Sequence, residues 1–317
     1  MGVNNSLTGV NNNKLVTVHQ ATPANIRSSM SNAAMQKQLK AMISDPKRRD
    51  SMVSSMVGMV QQTPGLQQCE VSSVYNAAIA GEALKLPYGF GYWYAVPRAN
   101  NKKGKELGFK NGEYKEATFQ MGYKGFVQLA MRAGEYKDID VFEVKEGEIP
   151  NPNRRRHSVE DFIYLENHEE LPTIGYYAFF VLHNGFTKGI YVTRKSIVKH
   201  AAEYSYFNNA IYTKLAAGEK VADAWKYSSQ WYTDFDMMSE KTVLKRLLSK
   251  WGMLSVEMQS ALKTDQAVVN EKGEPVAYPD NPKSPENKDK VIDAEITEEK
   301  PVEEPKTDVA NMFKKNK

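Results

Sequence analysis

Between residues 113 and 136, EYKEATFQMGYKGFVQLAMRAGEY, the spacing of apolar residues changes period. Tyr114, Glu116, Thr118 and Gln120 alternate with Lys115, Ala117, Phe119 and Met121. That period of two predicts a strand with Ala117, Phe119 and Met121 on one face and the polar set on the other. Gly122 ends the strand, and Phe126, Leu129 and Ala130 then recur at i, i+3 and i+4 in a helix over 123–133, with Gly134 as its C′ residue. Lys124 and Gly125 stand where that helix begins. Free backbone N–H groups, one cation and a glycine at such a place suit a phosphate. The same pattern also suits a plain strand-to-helix turn, and its spacing is neither that of a P-loop nor that of a dinucleotide fingerprint.

The rest of the chain arranges itself on both sides of this stretch. Residues 1–25 read as a polar arm, and 26–43 carry Ile26, Met30, Leu39 and Ile43 at helical spacing. Asp45-Pro46 is a helix start, followed at once by Lys47, Arg48 and Arg49, whose charges oppose the helix dipole. Met52, Met56, Met59 and Val60 form a stripe that serves either packing or an interface between subunits. A further helix is expected over 70–84, then an aromatic strand, FGYWYAVPR, at 90–98. NNKKGKELGFKNG, 100–112, reads as a hairpin region with Lys102 and Lys103 in its turn; with the two strands it flanks, it suits one wall of a nucleic-acid groove. Strands are expected at 138–145, 161–165, 174–183 and 186–193, the last two joined by His183-Asn184-Gly185 as a hairpin. A helix begins at Arg194, and YSYFNNAIY at 204–212 offers Phe207 and Asn208 as a tip that stacks on bases or, equally, as core.

Asp234 to Trp251 has the clearest helical pattern. Val243, Leu244, Leu247, Leu248 and Trp251 share one arc with Met237, and Lys241, Thr242, Lys245, Arg246 and Ser249 the opposite one. That polar arc is either a solvated face or a row of phosphate contacts. Lys241 and Lys245 are like charges at i, i+4, which disfavours the helix unless something negative lies nearby. Beyond about 263, proline, acidic residues and lysine accumulate, as in a disordered linker that ends in a short Met312-Phe313 patch. The expected organisation is therefore an arm over 1–25, a core over 26–262 and a linker over 263–317.

Charge sharpens this division. Residues 263–317 hold 10 Lys against 13 Asp plus Glu, a net of −3, so the remaining 32 basic and 25 acidic residues give 1–262 a net of +7. A basic body suits a polyanion. Of the 33 aromatic residues, 31 precede residue 263, interleaved with lysine and arginine, the mixture that sequence-independent strand binding uses. A single cysteine, Cys69, rules out an internal disulfide and a cysteine zinc site. No apolar run is long enough to span a bilayer, and no Walker A sequence is present.

QMGYKGFVQLAMRAGEYKDIDVFEV (120–144) and WYTDFDMMSEKTVLKRLLSKW (231–251) resemble, in order and separation, the two core blocks of the RecT family of phage single-strand annealing proteins. The resemblance covers roughly 30–260. It implies an α+β fold with a curved antiparallel sheet and hairpins packed against helices. It implies ATP-independent annealing of complementary DNA strands, with no cofactor and no catalysis. The implied partners are single-stranded DNA, the annealed duplex, other copies of the chain in a ring or filament, an exonuclease and a host single-strand binding protein, all in the bacterial cytoplasm. Block membership and side-chain chemistry together nominate Lys115, Thr118, Gln120, Tyr123, Lys124, Arg194, Phe207, Asn208, Lys241, Thr242, Lys245 and Arg246 as DNA contacts, with Lys102, Lys103 and Arg154 to Arg156 behind them. Two other readings stay open: a metal-dependent nuclease built on Asp234, Asp236 and Glu240, and a nucleic-acid chaperone that prefers RNA.

Overall fold

The computed structural model describes residues 6–11, 14–88, 90–152, 157–279 and 281. In chain order its elements are β1 (Ser6–Asn11), β2 (Lys14–His19), α1 (Pro23–Met30), α2 (Ala33–Met42), α3 (Pro46–Gln62), α4 (Val71–Ala83), β3 (Trp93–Ala99), α5 (Asn101–Glu106), β4 (Lys115–Met121), α6 (Tyr123–Arg132), β5 (Tyr136–Lys145), β6 (Thr173–Leu182), β7 (Thr187–Thr193), α7 (Arg194–Ser205), α8 (Asn209–Ala216), α9 (Gln230–Thr233), α10 (Phe235–Trp251), α11 (Val256–Thr264), β8 (Val268–Val269) and β9 (Pro275–Ala277). The fold is mixed α+β, with small antiparallel sheets among helices.

The period switch at Gly122 folds as its spacing predicts. β4 pairs with β3 from Trp93 opposite Met121 to Ala99 opposite Lys115, and Gly122 is the N-cap of α6. Both faces of β4 are buried, however. Ala117, Phe119 and Met121 join the main core, while Glu116, Thr118 and Gln120 are also shielded from water. Glu116 is satisfied there by Asn100 at 2.7 Å, Lys103 Nζ at 2.6 Å and the Tyr114 hydroxyl at 3.0 Å. Thr118 donates to the Val96 carbonyl.

The second sheet, β5-β6-β7, is a meander, and Gly185 at φ +85° makes the tight turn between β6 and β7. α10 packs on this sheet and on α6. Of its apolar arc, Val243, Leu244, Leu247 and Leu248 are fully buried and Met237 half-buried, but Trp251, at the helix end, is exposed. Tyr136 clamps the chain just beyond the helix: its hydroxyl accepts from the Met253 N–H at 2.7 Å. The methionine stripe of α3 lies in the core, which assigns it to packing. At the start of α3 the Asp45 carboxylate caps the Lys47 N–H, Arg48 pairs with Glu82, and Arg49 donates to the Ile43 and Ser44 carbonyls.

Several expectations are corrected. The polar arm contains the β1–β2 hairpin from residue 6 onward, because Leu7, Val16 and Val18 find Leu107, Phe109 and Tyr114 to pack on. Residues 101–106 form a helix instead of a hairpin turn, since Asn100 caps it through the Lys103 N–H. No strand forms at 161–165, where a short 3-10 turn over 159–161 leads into loop. The folded core does not stop at 262. The residues leading into β8 meet the edge of β4: Phe119 N–H donates to the Ala267 carbonyl, and Gln266 N–H to the Phe119 carbonyl, each at 2.8 Å. The remainder of the predicted linker, with Met312 and Phe313, lies outside the described residues, as do Arg154 to Arg156.

Asp265 anchors this last segment. Its side chain is completely buried and accepts from Lys241 Nζ at 2.9 Å, Lys245 Nζ at 2.6 Å and the Met121 N–H at 3.0 Å. Burial pushes the Asp265 carboxyl up, but the Lys241 and Lys245 ammonium groups outweigh it and hold the group below the usual carboxylate range. Removing one partner of such a pair leaves an uncompensated buried charge. Asp265→Ala is therefore expected to lower stability by about 3–5 kcal/mol, read as a lower urea midpoint at pH 7. Because the folded-state pKa is depressed, the carboxylate's contribution is present above its unfolded pKa and is lost as pH falls through the folded value. The difference between parent and variant should shrink in acid; a gap that stays constant down to pH 2 would argue against the ion pairs as its source.

Candidate nucleic-acid interface

Two cavities meet beneath the N-terminal half of α10. One, of about 650 Å³, opens between the loop at 90–92, the β4–α6 turn and α10. Tyr92, Tyr94, Tyr123 and Phe90 supply its rings, and Lys124 its exposed cation. The other, of about 420 Å³, lies between α7, α10 and the segment after α11. Lys245, Arg246 and Lys263 line it with Tyr204 and Tyr278. Met238 and Lys241 belong to both, so an aromatic half and a cationic half adjoin.

The local sequence builds the aromatic half. Gly122 and Gly125 allow the 90–92 loop to lie directly on the start of α6. A Cβ at Gly122 would fall 2.0 Å from the Gly91 carbonyl oxygen, and one at Gly125 2.2 Å from that of Tyr92. The Gly122 N–H donates to the Tyr92 carbonyl at 2.9 Å, which pins the loop. One amide at this helix start is thereby satisfied by the protein itself.

In the cationic half, burial and the Arg246 guanidinium push His200 down to about 4, so the imidazole is neutral at pH 7. Lys124, Arg246 and Lys263 have no carboxylate partner among the described residues. The row expected along α10 is reorganised by Asp265. Lys241 is 5% exposed and Lys245 is partly covered, both bound to that carboxylate. Thr242 donates back to the Met238 carbonyl within its own helix. Only Arg246 of the row lines the cavity with its charge unpaired among the described residues.

The other nominated residues divide. Gln120, Tyr123 and Lys124 line the aromatic half, with Gln120 Nε2 4.0 Å from the Met238 sulfur. Lys115 lies at the far end of β4, donating to Gln68 at 2.5 Å, and Thr118 is internal. Arg194 lines neither cavity: it pairs with Asp236 at 3.2 Å, donates to the Tyr176 hydroxyl at 3.1 Å and stacks 4.4 Å from the Phe235 ring. Phe207 is 4% exposed, packed among Tyr212, Trp231, Tyr232 and Phe235, so the exposed stacking tip is corrected to core. Asn208 caps α8 through the Ala210 and Ile211 N–H groups. Lys103 is taken up by Glu116 and Glu70. Missed by sequence reasoning were Lys263 and Tyr278, which fell in the supposed linker, and the individual rings of 90–94, whose aromatic density was the one signal present.

The carboxylates lie on the other side of α10. Asp234 caps the helix through the Met237 N–H at 3.1 Å, and Asp236 is held by Arg194 and Tyr176. Glu240 is half-buried; burial, then Glu143, Asp236, Asp140 and Asp234, push its carboxyl up to about 7. Among the described residues no three histidine, cysteine, aspartate or glutamate side chains converge as metal ligands, so the nuclease constellation does not assemble. No helix among them is long and apolar enough to cross a membrane.

Aromatic rings in one cavity and cations in its neighbour are the side-chain chemistry that single-strand nucleic-acid binding uses. The RecT family model matches residues 50–278. "Uncharacterized protein YqaK" of Bacillus subtilis (strain 168) is 32% identical over 263 residues, covering 78% of this chain and 80% of that one. "Protein RecT" of Escherichia coli (strain K12) is 24% identical over 250 residues, covering 77% and 81%. The chain belongs to the RecT family, and with that membership it is a DNA-binding single-strand annealing protein of recombination.

The raised Glu240 pKa has a consequence for stability. An acid with a folded pKa above its unfolded one costs nothing at low pH, costs increasingly as the unfolded chain ionises, and costs most above the folded value. Glu240→Gln is expected to be about 1–3 kcal/mol more stable than the parent at pH 8 and no different near pH 4, after allowance for partial solvent screening. Urea titrations at the two pH values check this; equal gains at both would refer the effect to packing.

Proposed function

We propose that one DNA strand runs through the joined cavities, with its backbone along Lys124, Arg246 and Lys263 and its bases toward the aromatic half. The single observation that supports this is that Met238 and Lys241 line both cavities, so that rings and unpaired cations adjoin. Lys241 and Lys245 then act chiefly from beneath, holding the wall in place through Asp265. Gln120 and Tyr123 offer polar atoms to sugars. Lys115, Thr118, Arg194, Phe207, Asn208 and Thr242 support the fold around the groove.

Annealing in this arrangement needs no bond chemistry. A strand held by its phosphates keeps base edges available, a complement pairs with them, and the protein retains the product by the same cations. The reaction is therefore independent of ATP. Copies of the chain arranged in a row would keep a longer strand extended; an exonuclease that supplies the strand and a single-strand binding protein on it are the partners such a reaction requires.

Two measurements test this. Joint replacement of Lys124, Arg246 and Lys263 by alanine should weaken single-strand binding and flatten the dependence of log K on log salt by about 0.7 for each phosphate no longer neutralised. An unchanged slope would remove the groove from the interface. Sequential addition of two complementary labelled oligonucleotides to the protein, in EDTA and without nucleotide, should give pairing faster than in buffer and a protein-bound duplex. No acceleration until ATP is supplied would refute the mechanism.

A further inference from the structure

Phe90 stands apart from every other ring in the groove. It is 78% exposed, and no aromatic ring stacks on it among the described residues. Its backbone lies in the left-handed region at φ +54°, which a bulky residue rarely adopts, and Gly91 follows at φ +78°. Exposure returns no burial to offset that cost. The surrounding structure imposes the conformation: the loop is pinned by the bond from Gly122 to Tyr92, and the two glycines of the β4–α6 turn leave it no slack. A water-exposed phenyl group in this conformation at the mouth of a cavity is a candidate contact for a ligand.

The neighbours say which ligand. Lys124 rises beside the loop, with its Cδ 3.4 Å from where a Gly91 Cβ would stand, and Tyr92, Tyr94 and Tyr123 line the same 650 Å³ cavity. A flat apolar face next to a cation and phenol hydroxyls fits a planar heterocycle attached to a phosphate. It fits an acyl chain or an aliphatic side chain poorly. We propose that Phe90 stacks on an unpaired base of the bound strand at the mouth of the groove. This rests on the groove being the strand-binding site, and adds a residue that no sequence block nominated. The contact accepts any base, since every base has a π-face. A base paired within a duplex is already stacked on both sides, so Phe90 favours the single strand over the product and eases release of the annealed duplex from this point.

The experiment compares two strands of equal length and equal phosphate count, an oligothymidylate and its fully abasic counterpart, on the full chain. Phe90→Ala should lower affinity for the oligothymidylate about tenfold and change affinity for the abasic strand by less than twofold. Phe90→Trp, which keeps a stacking face, should restore it. Equal losses on both strands, or none on either, would overturn the proposal. So would an altered sedimentation coefficient of the DNA-free protein with base preference intact, which would make Phe90 a contact between copies. Failure of the groove itself reads differently: the Lys124, Arg246 and Lys263 triple variant would then bind the abasic strand as well as the parent does.

Discussion

One buried carboxylate joins the segments that line the proposed groove. Asp265 accepts from the Met121 amide at the end of β4 and from Lys241 and Lys245 on α10. β4 runs into the first sequence block, and α10 lies within the second. Their relative position sets the shape of the groove, and Asp265 reaches both from a third segment of the chain. Two ammonium groups side by side on one helix repel each other, and burying Lys241 alone would be prohibitive. With Asp265 between them the repulsion becomes an attraction that holds the C-terminal segment against the core. The edge of β4 is then met by the residue just before β8, through the Phe119 and Ala267 backbones. These contacts tie the cavity walls, the sheet edge and the C-terminal segment together.

Much of the fold was legible because local pattern and tertiary role agree in it. The strand, glycine turn and helix at 115–132, the hairpin at Gly185 and the amphipathic α10 all follow from period and turn chemistry. Where the sequence misled, long-range partners decided. Asp265 lies in a polar, proline-rich stretch, and nothing local shows that its charge is matched by lysines 20 and 24 residues earlier. The β1–β2 hairpin depends on Phe109 and Tyr114, far along the chain. Asn100 turned an expected loop into a helix by a single cap.

The site was legible in kind and less so in identity. Cations and aromatics interleaved along the chain pointed to nucleic acid, yet many of them are engaged internally. Arg194 serves Asp236, Lys103 serves Glu116, and Phe207 anchors an aromatic core with Trp231 and Phe235. Composition cannot tell a cation awaiting a phosphate from one that has found a carboxylate. Only the folded arrangement makes the distinction, and it leaves Lys124, Arg246 and Lys263 as the charges facing the proposed path.

This sorting explains how a modest charge can direct a strand. A body with a net charge of +7 over 262 residues attracts DNA only weakly as a whole. On α10, however, the two signs are segregated. Asp236 and Glu240 turn toward β5, where Asp140 and Glu143 add to them, while Lys241, Lys245 and Arg246 turn toward the cavities. On the β5 side burial, and after it the carboxylates of Glu143, Asp236, Asp140 and Asp234, raise the Glu240 pKa, while on the other side Arg246 has no carboxylate partner among the described residues. The cost is borne in stability, by a half-buried glutamate among like charges. In the proposed path the gain is direction: a strand would meet acidic groups on one side of the helix and a cation on the other, which a uniformly basic surface of the same net charge would not offer.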